Sequence, residues 1–585
     1  MKKKLIGLAI LAGGLASCSG PAADVIRLNQ LGYFPAQEKV AVADTVGVTD
    51  FTVLDAATGE EVLKGATATT VANAWAARTG TTMDFSSLNK PGNYLLLAGG
   101  DTAAFEIKER PLASVADAAL KAFYYQRAGM PIEEAYAGQW SRPAAHPDTE
   151  VQVHPSAAGP QRKAGDVLSA PKGWYDGGDY GKYVVNTAFS IGLMQSAYRL
   201  FPDYFSKQRV GIPESGNATP DLLDEVYYGL SWLLTMQDPA DGGVYHKLTA
   251  PSPEGPVKPA DCQQTRYVVQ KSVTATLDFA AVMAQASMLF KPYAKDYPGF
   301  AAKALRAAER AYGWAELHPD KQYKQEAVNE AYDPDITTSE YGDIDAMDEI
   351  FWAASELYYA TGKQSYLIKA VKQAPRTFLL PSSANVSALG AYTWLLPGRK
   401  LEGTVADALY SSLKSYLQAY ATNAVKGADQ AAFHAPYGDE EVDFFLGGLG
   451  EQCANEALAL AYAYLVNDNR SYLTNAYRNM DYLLGRNPLG YCFVTGLGQK
   501  SPLRPCHPLA VSDGIDAPLP GFLVGGSNPG QQDHAQVAYP SDLPDESYVD
   551  SDQSFASNGV AINWNASLVA AASVLDALSM QQAAE

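Results

Sequence analysis

Residues 174–186 read Trp-Tyr-Asp-Gly-Gly-Asp-Tyr-Gly-Lys-Tyr-Val-Val-Asn, with Asp176 and Asp179 flanking a Gly-Gly pair. Glycine lets a backbone bend tightly, so this spacing can aim two short acids at one small volume. Two carboxylates that share a site can hold one water and take its proton. The aromatic rings beside them offer apolar faces to the C–H side of a sugar ring. The same residues could instead form a plain turn with two solvated aspartates. The rest of the chain decides between these readings.

Further stretches have equally distinctive types and order. They are Ile212-Pro213-Glu214-Ser215-Gly216-Asn217, Pro220-Asp221-Leu222-Leu223-Asp224-Glu225 and Asp241-Gly242-Gly243-Val244-Tyr245-His246-Lys247. Gly485-Arg486-Asn487-Pro488, Val494-Thr495-Gly496-Leu497-Gly498 and Val560-Ala561-Ile562-Asn563-Trp564-Asn565-Ala566 follow. Together with the Asp176–Asp179 motif, they resemble glycoside hydrolase family 9, the inverting β-1,4-glucanases. The resemblance implies an (α/α)6 barrel of six helical hairpins, with loops at one end forming a cleft for cellulose-type or related β-glucan. It also implies that Asp179 is the catalytic base, that Asp176 helps hold the water, and that Tyr175 and Tyr180 are wall residues. An inverting site needs a second carboxyl as acid, roughly 6.5–9.5 Å from the base so that water fits between them.

That acid is where the chain departs from the family. Of the family's C-terminal motif, Tyr548, Asp550, Phe555, Ala561, Asn565 and Ala566 match, but the position of the glutamate is Gly559. Glycine has no proton to give. After Gly496 and Gly498 the family shows Pro-His-His-Arg, whereas this chain reads Pro505-Cys506-His507-Pro508. The resemblance makes His507 and Asp550 substrate-binding candidates, although a lone histidine could equally be structural. Asp550, Asp552 and Glu340 lie in loops from which a replacement acid could come. Two readings follow: a β-1,4-glucan hydrolase with an altered acid and impaired activity, or a catalytically silent homologue that binds glucan at the cell surface.

Other acids have plainer explanations. Asp221, Asp224 and Glu225 begin a helix after Pro220, where the helix dipole favours negative charge, so they could be capping and packing groups as readily as substrate contacts. Asp343, Asp345, Asp348 and Glu349 form a dense group of hard oxygen donors that could bind a structural calcium. Family 9 enzymes often carry calcium in a comparable loop, which makes Asp345, Asp348 and Glu349 the candidate ligands. No other cofactor is expected.

Elements of two kinds must position these residues. From Val25 to about residue 108, short strands at Ile26–Tyr33, Val40–Val42, Phe51–Leu54 and Tyr94–Leu97 are separated by turn signals such as Lys90-Pro91-Gly92-Asn93. This predicts a β-sandwich, and its Leu-Asn-Gln-Leu-Gly-Tyr start resembles the immunoglobulin-like module that precedes many family 9 catalytic domains. The expected role of this module is to pack on the catalytic domain. From 112 to 582 the apolar spacing turns helical. Helices are predicted at Leu112–Ala128, Val184–Leu200, Asp221–Gln237, Val273–Phe290 and Phe300–Leu317. Five more are predicted at Asp345–Thr361, Thr404–Ala421, Ala454–Leu465, Tyr472–Leu484 and Val560–Leu578. Helices without interleaved strands exclude a parallel α/β barrel.

The chain has 585 residues, with 47% apolar and 11% aromatic residues, as a well-cored globular protein requires. Its net charge of −20 argues against nucleic acid as a partner. Residues 1–18 read as an export signal: Lys2, Lys3 and Lys4, then an apolar stretch, then Leu15-Ala16-Ser17-Cys18. That end looks like a bacterial lipobox, which predicts lipidation of Cys18 and a protein attached at the periplasm or cell surface by its lipid anchor only. The other cysteines, Cys262, Cys453, Cys492 and Cys506, lack the close pairing of a zinc site.

Overall fold

The computed structural model describes residues 26–43, 47–69, 79–399, 403–434 and 448–584. Cys18 and the rest of the expected export signal lie outside the described residues. Strands at the N-terminus form two four-stranded sheets. One has the order Ile26–Arg27, Val40–Ala43, Thr81–Asp84, Ala68–Thr69, and the other Glu61–Ala66, Asp50–Asp55, Gly92–Ala98, Asp101–Ile107. Alternating residues of both sheets, among them Phe51, Val53, Met83, Tyr94, Leu96 and Phe105, close a separate core. The expected Ile26–Tyr33 strand is shorter than the sequence suggests. Only Ile26 and Arg27 form the strand, Tyr33 adds a single bridge to Ile107, and the segment between them bends to the helical domain. There Asn29 donates to Asp481 at 2.7 Å, Glu38 pairs with Arg478 at 2.6 Å, and the Gln30 carboxamide oxygen accepts from the backbone of Gln499 and Lys500. The sandwich thus braces the loop that follows the Gly485-Arg486-Asn487-Pro488 turn.

In the larger domain twelve helices, among the described residues, alternate along the chain between an outer and an inner ring. The outer ones are Ala113–Gln126, Asp221–Met236, Phe300–Leu317, Gln364–Gln373, Thr404–Ala428 and Arg470–Leu483, and the inner ones Val184–Leu200, Val273–Leu289, Met347–Thr361, Ser387–Trp394, Leu449–Asn467 and Ile562–Ala584. Each inner helix packs on the outer helix that follows it, and Ile562–Ala584 closes the ring on Ala113–Gln126, which makes six hairpins. Inner helices are apolar or small on every side, so residues 273–287 are all buried. Outer helices keep a wet face, as Lys303, Arg306 and Arg310 show on Phe300–Leu317. Val184–Leu200 packs on Val273–Leu289 and Ile562–Ala584, and Leu449–Asn467 packs on Ile562–Ala584. Tyr392 stacks on Tyr462 at 4.1 Å and joins the inner helix Ser387–Trp394 to Leu449–Asn467.

Three features differ from the sequence reading. The helices Gln364–Gln373 and Ser387–Trp394 were not expected: the first is short and mostly polar, and the second is a short apolar run that periodicity cannot tell from a buried strand. Thr404–Ala428 and Leu449–Asn467 also run further than expected. Finally, the helical domain does contain strands. Five very short ones form a sheet in the order Val167–Leu168, Val151–Val153, Tyr267–Val268, Lys247–Thr249, Lys182–Tyr183. They are too short for alternation to show. The last strand leads directly from the Asp176–Asp179 loop into Val184–Leu200. Buried Asp148 pairs with Lys182 and Arg266, each at 2.7 Å, and Arg266 donates to the carbonyl of Tyr180 at 2.9 Å. The sheet therefore clamps the loop that carries both aspartates.

Candidate active site

The Trp174–Gly181 loop is held on three sides. Tyr175 N–H donates to the carbonyl of Gln126 at the end of the first outer helix, and Ile562 N–H of the last inner helix donates to the carbonyl of Asp176, both at 2.9 Å. Lys182–Tyr183 pairs with Lys247–Leu248. Gly177 has a packing reason to be glycine: a Cβ there would lie 2.1 Å from the carbonyl oxygen of Val560. Gly178 faces open space, so only one of the two glycines is required by contact.

Both aspartates are nearly buried at the ends of the inner helices. Asp179 accepts from Gly181 N–H at 2.7 Å through Oδ1 and from the Tyr183 hydroxyl at 2.6 Å through Oδ2. Each oxygen keeps lone pairs for a further donor. Asp176 accepts from Asn186 Nδ2 at 2.6 Å and from the Tyr341 hydroxyl at 2.7 Å. Burial pushes the Asp176 carboxyl up to about 7. Asn186 also reaches Asn563 Oδ1 at 3.1 Å, and Asn563 Nδ2 donates to Glu451 at 2.8 Å. Burial raises Glu451 to about 8. Sequence reasoning missed Asn186, Tyr341, Asn563 and Glu451. Asn186 and Asn563 lay inside motifs already singled out, but no signal in the sequence links the four residues to one another.

Gly559 lies beside this site, next to the Val560 carbonyl that Gly177 approaches. Residues 558–560 run between two neighbouring segments. Cys506 N–H donates to the carbonyl of Asn558 at 2.8 Å, and Gly525 N–H donates to that of Gly559 at 3.1 Å. A Cβ on Gly559 would meet the Phe555 carbonyl oxygen at 2.6 Å, so the turn has closed around a glycine.

None of the three replacement acids named above is free for the task. Asp550 accepts from the backbone N–H groups of Leu503 and Arg504, both at 2.9 Å, and pins that loop rather than facing a ligand. Asp552 pairs with Arg504 at 2.6 Å, which holds its carboxyl below the usual range. Glu340 is exposed and accepts from Gln325 N–H.

The expected wall residues are also set deeper than a binding surface. Tyr175 is fully buried with its hydroxyl against His146 Nδ1 at 2.8 Å, so it supports Tyr180 from behind. The Tyr180 hydroxyl donates to the carbonyl of Val257 at 2.6 Å. His507 is buried with Nε2 at 3.2 Å from Gln126 Oε1, and burial depresses it to about 3, so it is neutral and packs structurally. Cys506 stays a protonated thiol, pushed up to about 11 by burial. Cys262, Cys453, Cys492 and Cys506 are all free thiols. Asp221, Asp224 and Glu225 prove to be packing groups. Asp221 accepts from Ser215, Asp224 from Asn217, and Glu225 pairs with buried Arg127 at 2.9 Å.

The acidic group near residue 345 has a partner the sequence hid. Asp278, inside the second inner helix, is fully buried with neither carboxylate oxygen hydrogen-bonded. Burial, together with Asp348 and Asp343, raises its pKa well above the usual range; Glu349 is raised in the same way by burial, Asp278 and Asp348. Asp345 is turned aside and accepts from Met347 N–H at 2.9 Å, while Asp348 accepts from Val386 N–H at 2.6 Å. Hard, orphaned carboxylate oxygens suit calcium in kind. Among the described residues, however, no three acids converge as the ligands of one ion.

A helical barrel with paired aspartates at the ends of its inner helices defines a six-hairpin glycosidase. Residues 113–572 match glycosyl hydrolase family 9, residues 22–103 match the cellulase N-terminal Ig-like domain, and the chain belongs to that family. It is 58% identical over 576 residues to a xyloglucan-specific endo-beta-1,4-glucanase of Bacteroides ovatus, covering 98% of this chain and 97% of that one. It is 30% identical over 553 residues to endoglucanase D of Acetivibrio thermocellus, covering 93% and 82%. Among solved structures, a Bacteroides ovatus family 9 protein superposes with TM-score 0.91 at 57% identity, over 95% of this chain and 99% of that one. AaCel9A in complex with cellobiose-like isofagomine gives TM-score 0.83 at 31% identity, over 95% and 99%.

Proposed function

We propose that this protein binds the β-1,4-linked backbone of a xyloglucan-type polysaccharide and cleaves it with inversion, more slowly than a site with the usual acid. The observation that carries the reading is the Asp176–Asp179 pair, fixed by Asn186, Tyr341 and Tyr183 at the ends of the inner helices. Asp179 takes the proton of a water as that water attacks C1. Asp176, already held by two donors, keeps the water oriented. The xyloglucan preference is inferred from the relative at 58% identity.

Calorimetry with cellohexaose and with xyloglucan oligosaccharides, followed by proton NMR of the first product, tests this reading. Binding and an α-configured new reducing end are expected. A β-configured end would overturn inversion, and no binding to any β-glucan would overturn the whole reading. Gly559 favours a second reading, a silent glucan-binding protein, which binding without any cleavage would establish.

The structural calcium expected from the sequence would need Asp278, Asp348 and Glu349 to draw together around it, because the described acids do not already converge on one position. A cation there would relieve the repulsion among buried carboxylates and stabilise the fold by about 2.7 kcal/mol at 100 times its Kd. Melting should shift upward with calcium and return with EGTA, and Asp278→Asn should remove the response. A melting curve indifferent to calcium would exclude the site.

A further inference from the structure

We propose that Glu451 delivers to the glycosidic oxygen the proton that position 559 no longer can. This inference rests on the hydrolytic reading above. The segment that carries Glu451 is tied to the one that carries Gly559. Gly450 N–H donates to the carbonyl of Gly525 at 2.7 Å, and Gly525 N–H donates to that of Gly559 at 3.1 Å. Glycines make this approach possible: a Cβ on Gly448 or Gly450 would lie 2.7 or 2.6 Å from carbonyl oxygens of residues 524–526. Glu451 therefore enters the same end of the barrel in the first turn of Leu449–Asn467.

Its carboxyl is linked to the catalytic pair through two asparagines. Oε1 accepts from Asn563 Nδ2, Asn563 Oδ1 accepts from Asn186, and the same Asn186 nitrogen donates to Asp176. Among the described residues no cation pairs with Glu451, unlike Glu225 with Arg127 or Asp552 with Arg504. It is 4% exposed, and burial raises it to about 8, so it carries a proton at neutral pH, as a general acid must. In the reaction the Glu451 O–H proton passes to the leaving oxygen as the C1–O bond breaks. Water bonds to C1 and gives its proton to Asp179. Exchange with solvent then reprotonates Glu451 and deprotonates Asp179.

The test compares the unaltered protein with Glu451→Gln on two substrates: cellohexaose, whose leaving group needs a proton, and β-cellobiosyl fluoride, whose leaving group does not. Glu451→Gln is expected to lower cellohexaose cleavage by about 10²-fold or more while leaving fluoride hydrolysis within a factor of three or so. Equal loss on both substrates would show a merely structural role, and undiminished cellohexaose cleavage would show no role. If the unaltered protein binds cellohexaose but never cleaves it, this inference falls while glucan binding stands.

Discussion

Asp179→Asn is expected to lower hydrolysis of β-cellobiosyl fluoride by about 10²–10⁴-fold, the usual share of a positioned base. Binding of cellohexaose should change only a few-fold. The amide has the carboxylate's shape, and its oxygen can still accept from Gly181 N–H, now at 2.7 Å. Its NH2 cannot accept from the Tyr183 hydroxyl, but that hydroxyl can rotate and become the acceptor. The loop itself depends on other contacts, namely the Gln126 and Asp176 carbonyls and the Lys182 strand. Fold and binding should therefore survive while the water loses its proton acceptor. The fluoride isolates this step, because its leaving group needs no acid. A variant that keeps a tenth or more of the activity would remove Asp179 from the base role.

Gly559→Glu should raise cleavage of cellohexaose by about 10- to 100-fold, the lower end of what a positioned acid contributes. It should also lower stability by about 1–3 kcal/mol, the range for forcing atoms into a packed site. The cost follows from the 2.6 Å approach of a Cβ to the Phe555 carbonyl, which is backbone and cannot swing aside like a flexible side chain. The gain is limited because moving the 555–559 turn also displaces the new carboxyl. In a Glu451→Gln background the relative gain should be larger, since the two residues would supply the same proton. Melting curves and product release measured on the same samples check both halves. No gain in either background would show that the site is not shaped for an acid at 559, and a rise in melting temperature would show that the turn accommodates the larger residue without the expected cost.

Much of the site's chemistry was readable because it is local. Asp176 and Asp179 sit three residues apart in one turn, and the missing acid was visible as a glycine in an otherwise intact motif. What the sequence obscured were relations between distant positions. Asn186, Asn563 and Glu451 come from three inner helices, and only the closure of the barrel makes them neighbours. Asp278 read as one polar residue in an apolar helix until Asp348 and Glu349 were placed beside it. His507, Asp550 and Tyr175 matched motif positions, but their contacts show them holding loops and rings in place.

By itself the sequence determined the two-part architecture, since short alternating strands and long helical periods bury their apolar faces in only a few ways. It also singled out Asp176 and Asp179 as the carboxylates to act on water, and placed a glycine at the position of the family's acid. The tertiary structure alone decided the rest. It closed the turn around Gly559, pinned Asp550 and Asp552 to backbone and arginine, and buried Glu451 against Asn563. The reason is physical: a carboxyl's protonation and reach depend on what surrounds it in space, and those surroundings come from segments hundreds of residues apart in the chain.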